Sequence, residues 1–136
     1  MKKAAALLGL AVWAIALLGG CQFVRIEEEP RSPLEYSIIR QEEIPRELMA
    51  MIGEKKAKEF QLTYQSGEEL YLVKGYGQQM SGGYSIQVEE LGYTEKAIFF
   101  RTKLLGPSQV SASGGEPSYP YIVVKTACRK EPVVFE

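Results

Sequence analysis

Phe60-Gln61-Leu62-Thr63-Tyr64, then Gln65-Ser66-Gly67-Glu68-Glu69, then Leu70-Tyr71-Leu72-Val73-Lys74, is the stretch that decides the fold. Phe60, Leu62 and Tyr64 alternate with polar residues at a period of two, which is how a strand with one buried face is written. Ser66-Gly67 breaks the run with turn chemistry, and a second short run follows at once. The same grammar continues downstream in Tyr84 to Val88, Ala97 to Leu105, Tyr121 to Lys125 and Val133 to Phe135. Gly75 to Gly83, Leu91-Gly92 and Gly106-Pro107 supply the breaks between them. Upstream, Leu34, Tyr36 and Ile38 predict one strand over Leu34 to Arg40. Ile44, Leu48, Met51 and Ile52 recur at helical spacing behind Glu42-Glu43, with Pro45 in a first-turn position and Lys55, Lys56 and Lys58 at the far end, so a helix is expected from about 44 to 58. Met49 and Met51 read as core filler on that helix. The fold class expected is mostly β (α+β): a compact antiparallel sheet or sandwich with one early helix.

The 136 residues divide by composition into three parts. Met1-Lys2-Lys3 followed by an uncharged apolar run from Ala4 to Leu18 matches a secretory signal over 1–20. Leu18-Gly19-Gly20-Cys21 resembles the bacterial lipoprotein lipobox, in which small residues flank the cleaved bond and the cysteine thiol receives the lipid. Cys21 is therefore the expected lipidation site, and the expected location is the bacterial cell envelope, extracytoplasmic and membrane-attached through acyl chains. Glu27-Glu28-Glu29-Pro30 and Ser32-Pro33 make 21–33 a charged, proline-punctuated tether, which leaves 34–136 as one β-rich domain.

Composition removes most chemistry. The chain has no His, no Asp and no Asn, and its one Trp, Trp13, lies in the signal. A Ser-His-Asp triad, a histidine zinc site and an aspartate-rich calcium loop are all excluded, so neither a catalytic residue nor a metal or other cofactor is expected. With 17 acidic residues against 16 basic ones, two of which sit in the signal, the domain carries no nucleic-acid footprint. Lipidation of Cys21 leaves Cys128 without an intrachain disulfide partner; behind Ile122-Val123-Val124 it reads as a small buried side chain rather than a reactive thiol. Glu89 and Glu90, adjacent on a strand, are expected on opposite faces and unable to act as a catalytic pair.

Two glycine-rich loops remain. Gly75 to Gly83 lacks a nucleotide-binding spacing, and Gly82-Gly83 reads as a strand entry that demands positive φ or close backbone approach. Gly106 to Pro120, with Ser111, Ser113 and Gly114-Gly115, is long enough to be either functional or disordered. Tyr76, Tyr84, Tyr119 and Tyr121 flank these loops. Alternation directs Tyr84 and Tyr121 inward and leaves Tyr76 and Tyr119 exposed as contact area.

Ser81-Gly82-Gly83-Tyr84-Ser85-Ile86 resembles the Thr/Ser-Gly-Gly-Tyr-Ser-apolar motif of the C-terminal domain family named after the protease-complex subunit PrcB. Tyr119-Pro120-Tyr121-Ile122-Val123-Val124-Lys125 is similar to that family's Tyr-Pro-apolar-Val-Val-Lys element, and the resemblance runs from about Leu70 to Val134. Where the family more often has Pro-Thr before the glycines, this chain has Met80-Ser81, which keeps the hydroxyl. The resemblance implies an exported, often lipid-anchored accessory domain without catalytic residues, associated with proteolysis or envelope proteins. The candidate partner-binding residues are Tyr76, Gln78, Gln79, Met80, Ser81, Gly82, Gly83, Tyr84, Tyr119 and Pro120. The leading function is a noncatalytic accessory protein that binds an extracytoplasmic protease or other envelope protein. The rivals are a protease inhibitor working through a loop on a β scaffold and a purely structural envelope lipoprotein.

Overall fold

The computed structural model describes residues 30–107 and 115–136. The expected signal, Cys21, the expected tether up to residue 29 and the middle of the Gly106 to Pro120 loop lie outside the described residues. Among the described residues, eight strands and one α-helix run in the order β1 (Ser32–Pro33), β2 (Tyr36–Ile38), α1 (Arg46–Lys55), β3 (Glu59–Ser66), β4 (Glu69–Tyr76), β5 (Ser85–Tyr93), β6 (Ile98–Leu105), β7 (Tyr121–Ala127) and β8 (Val133–Phe135). They form two four-stranded sheets, ordered β2-β7-β4-β3 and β1-β5-β6-β8. Pairing is antiparallel throughout except for β6 with β8, which is parallel.

The packing has three layers, and the register of the first sheet shows why. Leu70 and Leu72 of β4 share a face with Ile122 and Val124 of β7, and pack on Leu91, Ile98 and Phe100 of the second sheet. Tyr71 and Val73 share the opposite face with Val123, and pack on Leu48 and Ile52 of α1. A strand covered on both sides has no polar face to show, so Leu70-Tyr71-Leu72-Val73 and Ile122-Val123-Val124 are unbroken apolar runs. β3, at the sheet edge, is covered only by the helix side: Phe60, Leu62 and Tyr64 are half-buried while Gln61, Thr63 and Gln65 are exposed.

α1 starts at Arg46 because Pro45, extended at φ −54° and ψ 142°, precedes it and gives its carbonyl to Met49 N–H at 2.9 Å. The helix ends at Lys55, short of the expected 58, because the chain turns there to begin β3 at Glu59. The single strand expected over Leu34 to Arg40 is two: Ser32 and Pro33 pair with Tyr93 and Gly92, while Tyr36 to Ile38 pair with Thr126 to Val124. The chain therefore crosses between sheets at Leu34-Glu35, and Ser32-Pro33 belongs to a sheet rather than to the tether. Ile38 is left 58% exposed on the β2 edge.

Leu91-Gly92, expected as a turn, lies inside β5. The reversal is Thr94 to Ala97, closed by Thr94 N–H to Ala97 O at 2.9 Å and by Lys96 N–H to the Thr94 hydroxyl at 3.1 Å. A β-bulge between Val88 and Glu90 explains how Leu91 is buried. Ile86 and Val88 face the core before it, Leu91 and Tyr93 after it, so one extra residue shifts the inward set from even to odd positions. The bulge also overturns the opposite-face reading of Glu89 and Glu90. Both reach Arg101 on β6, at 3.5 Å and 3.1 Å, and make a surface ion cluster.

Past β7, Arg129 lies 3.8 Å over the Tyr93 ring and forks onto both carboxylate oxygens of Glu131 at 3.2 Å and 3.1 Å. That hydrogen-bonded guanidinium holds the Glu131 carboxyl below its ordinary range. The pair's contribution is thus present at neutral pH and fades as pH falls through the depressed value. Phe100, 1% exposed, meets Phe135 edge to face with centroids 5.9 Å apart, which seats β8 on the core. Phe100→Ala is expected to destabilise by about 3–5 kcal/mol, read as a lower urea midpoint at unchanged slope. A shift of only a few tenths would mean the inter-sheet core is not where the stability lies.

Candidate partner-docking platform

β4 and β7 end side by side, and this end carries both glycine-rich loops. Tyr76 N–H donates to Pro120 O at 3.0 Å, continuing the β4–β7 ladder by one bond beyond Gly75 and Tyr121. Gly77 then turns the chain at φ 75°, where a Cβ would lie 2.9 Å from Glu59 N, so backbone packed against backbone fixes this turn. The loop that follows is tied on three sides. Gln78 N–H donates to Ala57 O at 3.2 Å, next to the end of α1. Gln79 and Ser118 exchange backbone bonds at 2.8 Å and 3.1 Å, and the Gln79 side-chain amide donates back to Tyr76 O at 3.0 Å. The Ser118 hydroxyl donates to Ser81 O at 2.6 Å. Gly83, at φ 87°, presses on Pro107: a Cβ there would lie 2.9 Å from that ring's Cβ.

The two loops that the sequence leaves separate are therefore one surface. It brings together Gln78, Gln79, Met80, Ser81, Gly82, Gly83 and Tyr84 from one side with Tyr119 and Pro120 from the other. Met80 stands at its crest, 83% exposed. Lys56 from just beyond α1 lies 5.5 Å over the Tyr119 ring. Residues 108–114 of the second loop lie outside the described residues.

Tyr76 departs from the expectation of an exposed contact ring. It lies in β4, half-buried, with its hydroxyl 2.5 Å from the Thr102 hydroxyl on β6 and Lys74 Nζ 5.2 Å over its ring. Lys74 is in turn held by Glu59 at 2.8 Å. Tyr76 thus ties the sheets together beneath the platform, and its truncation belongs to stability. Tyr84, Tyr119 and Tyr121 are half-buried as well, so the clean division into inward and outward rings does not occur. Tyr121 points to the helix side, donating to Met49 Sδ at 3.7 Å, and burial pushes its phenol above the ordinary range.

Ser118, Gly77, Pro107 and Thr102 are the supporting residues that sequence reading missed. Gly77 carried a usable signal as the second glycine of Gly75-Tyr76-Gly77, and Pro107 one as part of the Gly106-Pro107 break. Ser118, by contrast, matters through a contact 37 residues away. Cys128 lies at the opposite end of the sheet, beyond Ala127, with its N–H on Glu68 O at 2.8 Å. It is half-buried, not buried as expected, and borders an open groove of about 810 Å³ with Tyr36, Glu69 and Lys125. Lys125 faces the Glu69 carboxylate at 3.0 Å, which raises the Lys125 pKa. Among the described residues no three Cys or Glu side chains converge as metal ligands, and no helix is long and apolar enough to cross a membrane.

In class, this is a three-layer α+β domain whose distinguishing surface is a pair of cross-linked loops. A family model described as PrcB C-terminal matches residues 70–127, which supports the resemblance to that family over this segment. The segment runs from β4 through β7 and includes both platform loops; it stops before the Val134 limit read from the sequence. No curated protein and no solved structure matches the chain significantly.

The two signature glycines are not equivalent. Gly82 has open space around its missing side chain, whereas Gly83 has positive φ and a neighbour in the way. Gly83→Ala is expected to cost on the order of 1 kcal/mol or more, and Gly82→Ala far less. Matched thermal melts check this, and equal losses would contradict it.

Proposed function

We propose that the chain is a noncatalytic, lipid-anchored accessory protein of the bacterial envelope, which binds and stabilises an extracytoplasmic protease through the platform. One observation carries the reading: both motifs of the family segment converge on a single hydrogen-bonded surface crested by an exposed methionine. Methionine offers a soft apolar side chain that adapts to a partner's pocket. The loop beneath it is already held, so docking loses little backbone entropy. The family takes its name from a protease-complex subunit, which supports a protease as the partner. The lack of His and Asp supports a role without turnover. The lipobox supports anchoring at Cys21. The same loop stiffness would suit an inhibitor that blocks a cleft, and the sign of the effect on peptidase activity separates the two readings.

Cys21→Ala is expected to move the protein from the detergent phase to the aqueous phase while leaving its melting temperature unchanged. Equal partitioning of both forms would reject lipid anchoring. Met80→Ser, at a side chain largely in water, should leave the melting curve in place yet weaken partner capture from native envelopes by about tenfold, the scale of one interface anchor. Undiminished capture by a folded Met80→Ser protein would move the docking surface elsewhere.

A further inference from the structure

The sheets have four edges among the described residues, and three of them are blunted. β1 is two residues long and contains Pro33; β2 and β8 are three residues long, and β8 follows directly on Pro132. β3 is different. It runs eight residues, pairs with β4 from Glu59 to Ser66 with no break in register, and contains neither proline nor lysine. Its outer edge presents a row of backbone donors and acceptors without the short length, lysine, proline or bulge that normally prevents strand addition. α1 lies on a face of this sheet, touching β3 through Phe60, Leu62 and the Tyr64–Glu47 hydrogen bond at 3.0 Å, and among the described residues no strand pairs with the outer edge.

We infer that β3 is a self-pairing edge: two copies of this chain join β3 to β3, antiparallel about a two-fold axis at Leu62, and fuse their four-stranded sheets into one. A two-fold perpendicular to the sheet must set like faces together, which limits the register to centres on a residue. Centring on Leu62 places Leu62 opposite its own copy, Phe60 opposite Tyr64, Gln61 opposite Thr63 and Glu59 opposite Gln65. The apolar row thereby continues across the junction with two aromatic pairs, and the other face is a ladder of hydrogen-bonding groups. Glu59 is the only charged residue of the strand, and it meets an amide, so no like charges oppose each other. Centring on Thr63 instead would set Phe60 against Ser66 and lose both aromatic pairs. It is this complementarity of β3 with itself that selects a second copy over a foreign strand, whose sequence nothing in β3 specifies. The inference does not rest on the docking role of the platform.

Sedimentation of the full chain in detergent micelles at micromolar concentration is expected to give twice the monomer mass after correction for bound detergent. Gln61→Glu combined with Thr63→Glu, at two exposed positions, would set like charges opposite each other across the junction while the new carboxylate at 61 faces Lys74 within the sheet, and is expected to give a monomer with a near-unchanged melting temperature. As an independent measure, a short bismaleimide should cross-link Thr63→Cys into a covalent dimer in a Cys128→Ser background, whereas Glu95→Cys in the same background should not cross-link. Three results would overturn the inference: a monomeric unsubstituted chain, a dimer that survives the paired glutamates, or a monomer whose β3 amides gain exchange protection only when envelope extract is added. The last would make the occupant a foreign strand.

Discussion

The pairing of β4 with β7, buried on both faces, is the constraint from which the rest of the molecule follows. Leu72, Val73, Val123 and Val124 are almost wholly removed from water, and they alternate between two cores that one pair of strands separates. Neither strand can stay in solution with one face bare, so a helix must cover one side and a second sheet the other. α1 does the first with Leu48 and Ile52. β5 and β6 do the second with Leu91, Ile98 and Phe100, helped by a bulge that resets which residues point inward.

The same pair of strands determines where the proposed docking surface lies. Both strands stop at one end, where Tyr76 and Pro120 make a last backbone bond and Tyr76 reaches Thr102 across the sandwich. The loops that leave this end have to close over the gap between three layers, and they do so on one another: Gln79 on Ser118, Ser118 on Ser81, Gly83 on Pro107. Stiffness at the platform is thus a consequence of the core beneath it. A side chain raised on such a loop, as Met80 is, would meet the proposed partner without reorganising the backbone.

Much of this architecture was legible from the sequence, for identifiable reasons. Period-two alternation found β3 and the first half of β5, where one face is wet, and the apolar runs Leu70 to Val73 and Ile122 to Val124 gave the central pair. What failed was whatever depends on a single residue of register or on distant partners. The Val88–Glu90 bulge has no local signature, so Leu91-Gly92 read as a turn and Glu89-Glu90 as a split pair. The crossing at Leu34-Glu35 looks like uninterrupted alternation, because both halves are strands and only their sheets differ. At the platform, the glycines, Met80 and the tyrosines were visible as types. Their convergence was not, since it runs through Ser118 and Pro107, and the role of Tyr76 changed because its partner, Thr102, is 26 residues away.

The central claim is that this surface serves a protease by binding and supporting it. The most direct measurement is the rate and lifetime of envelope peptidase activity in preparations depleted of this protein, with and without the purified chain added back. The account predicts that addition raises or prolongs the activity, in proportion to the protein added, until the partner is saturated. Suppression of the activity on addition would contradict it and make the platform an inhibitory loop.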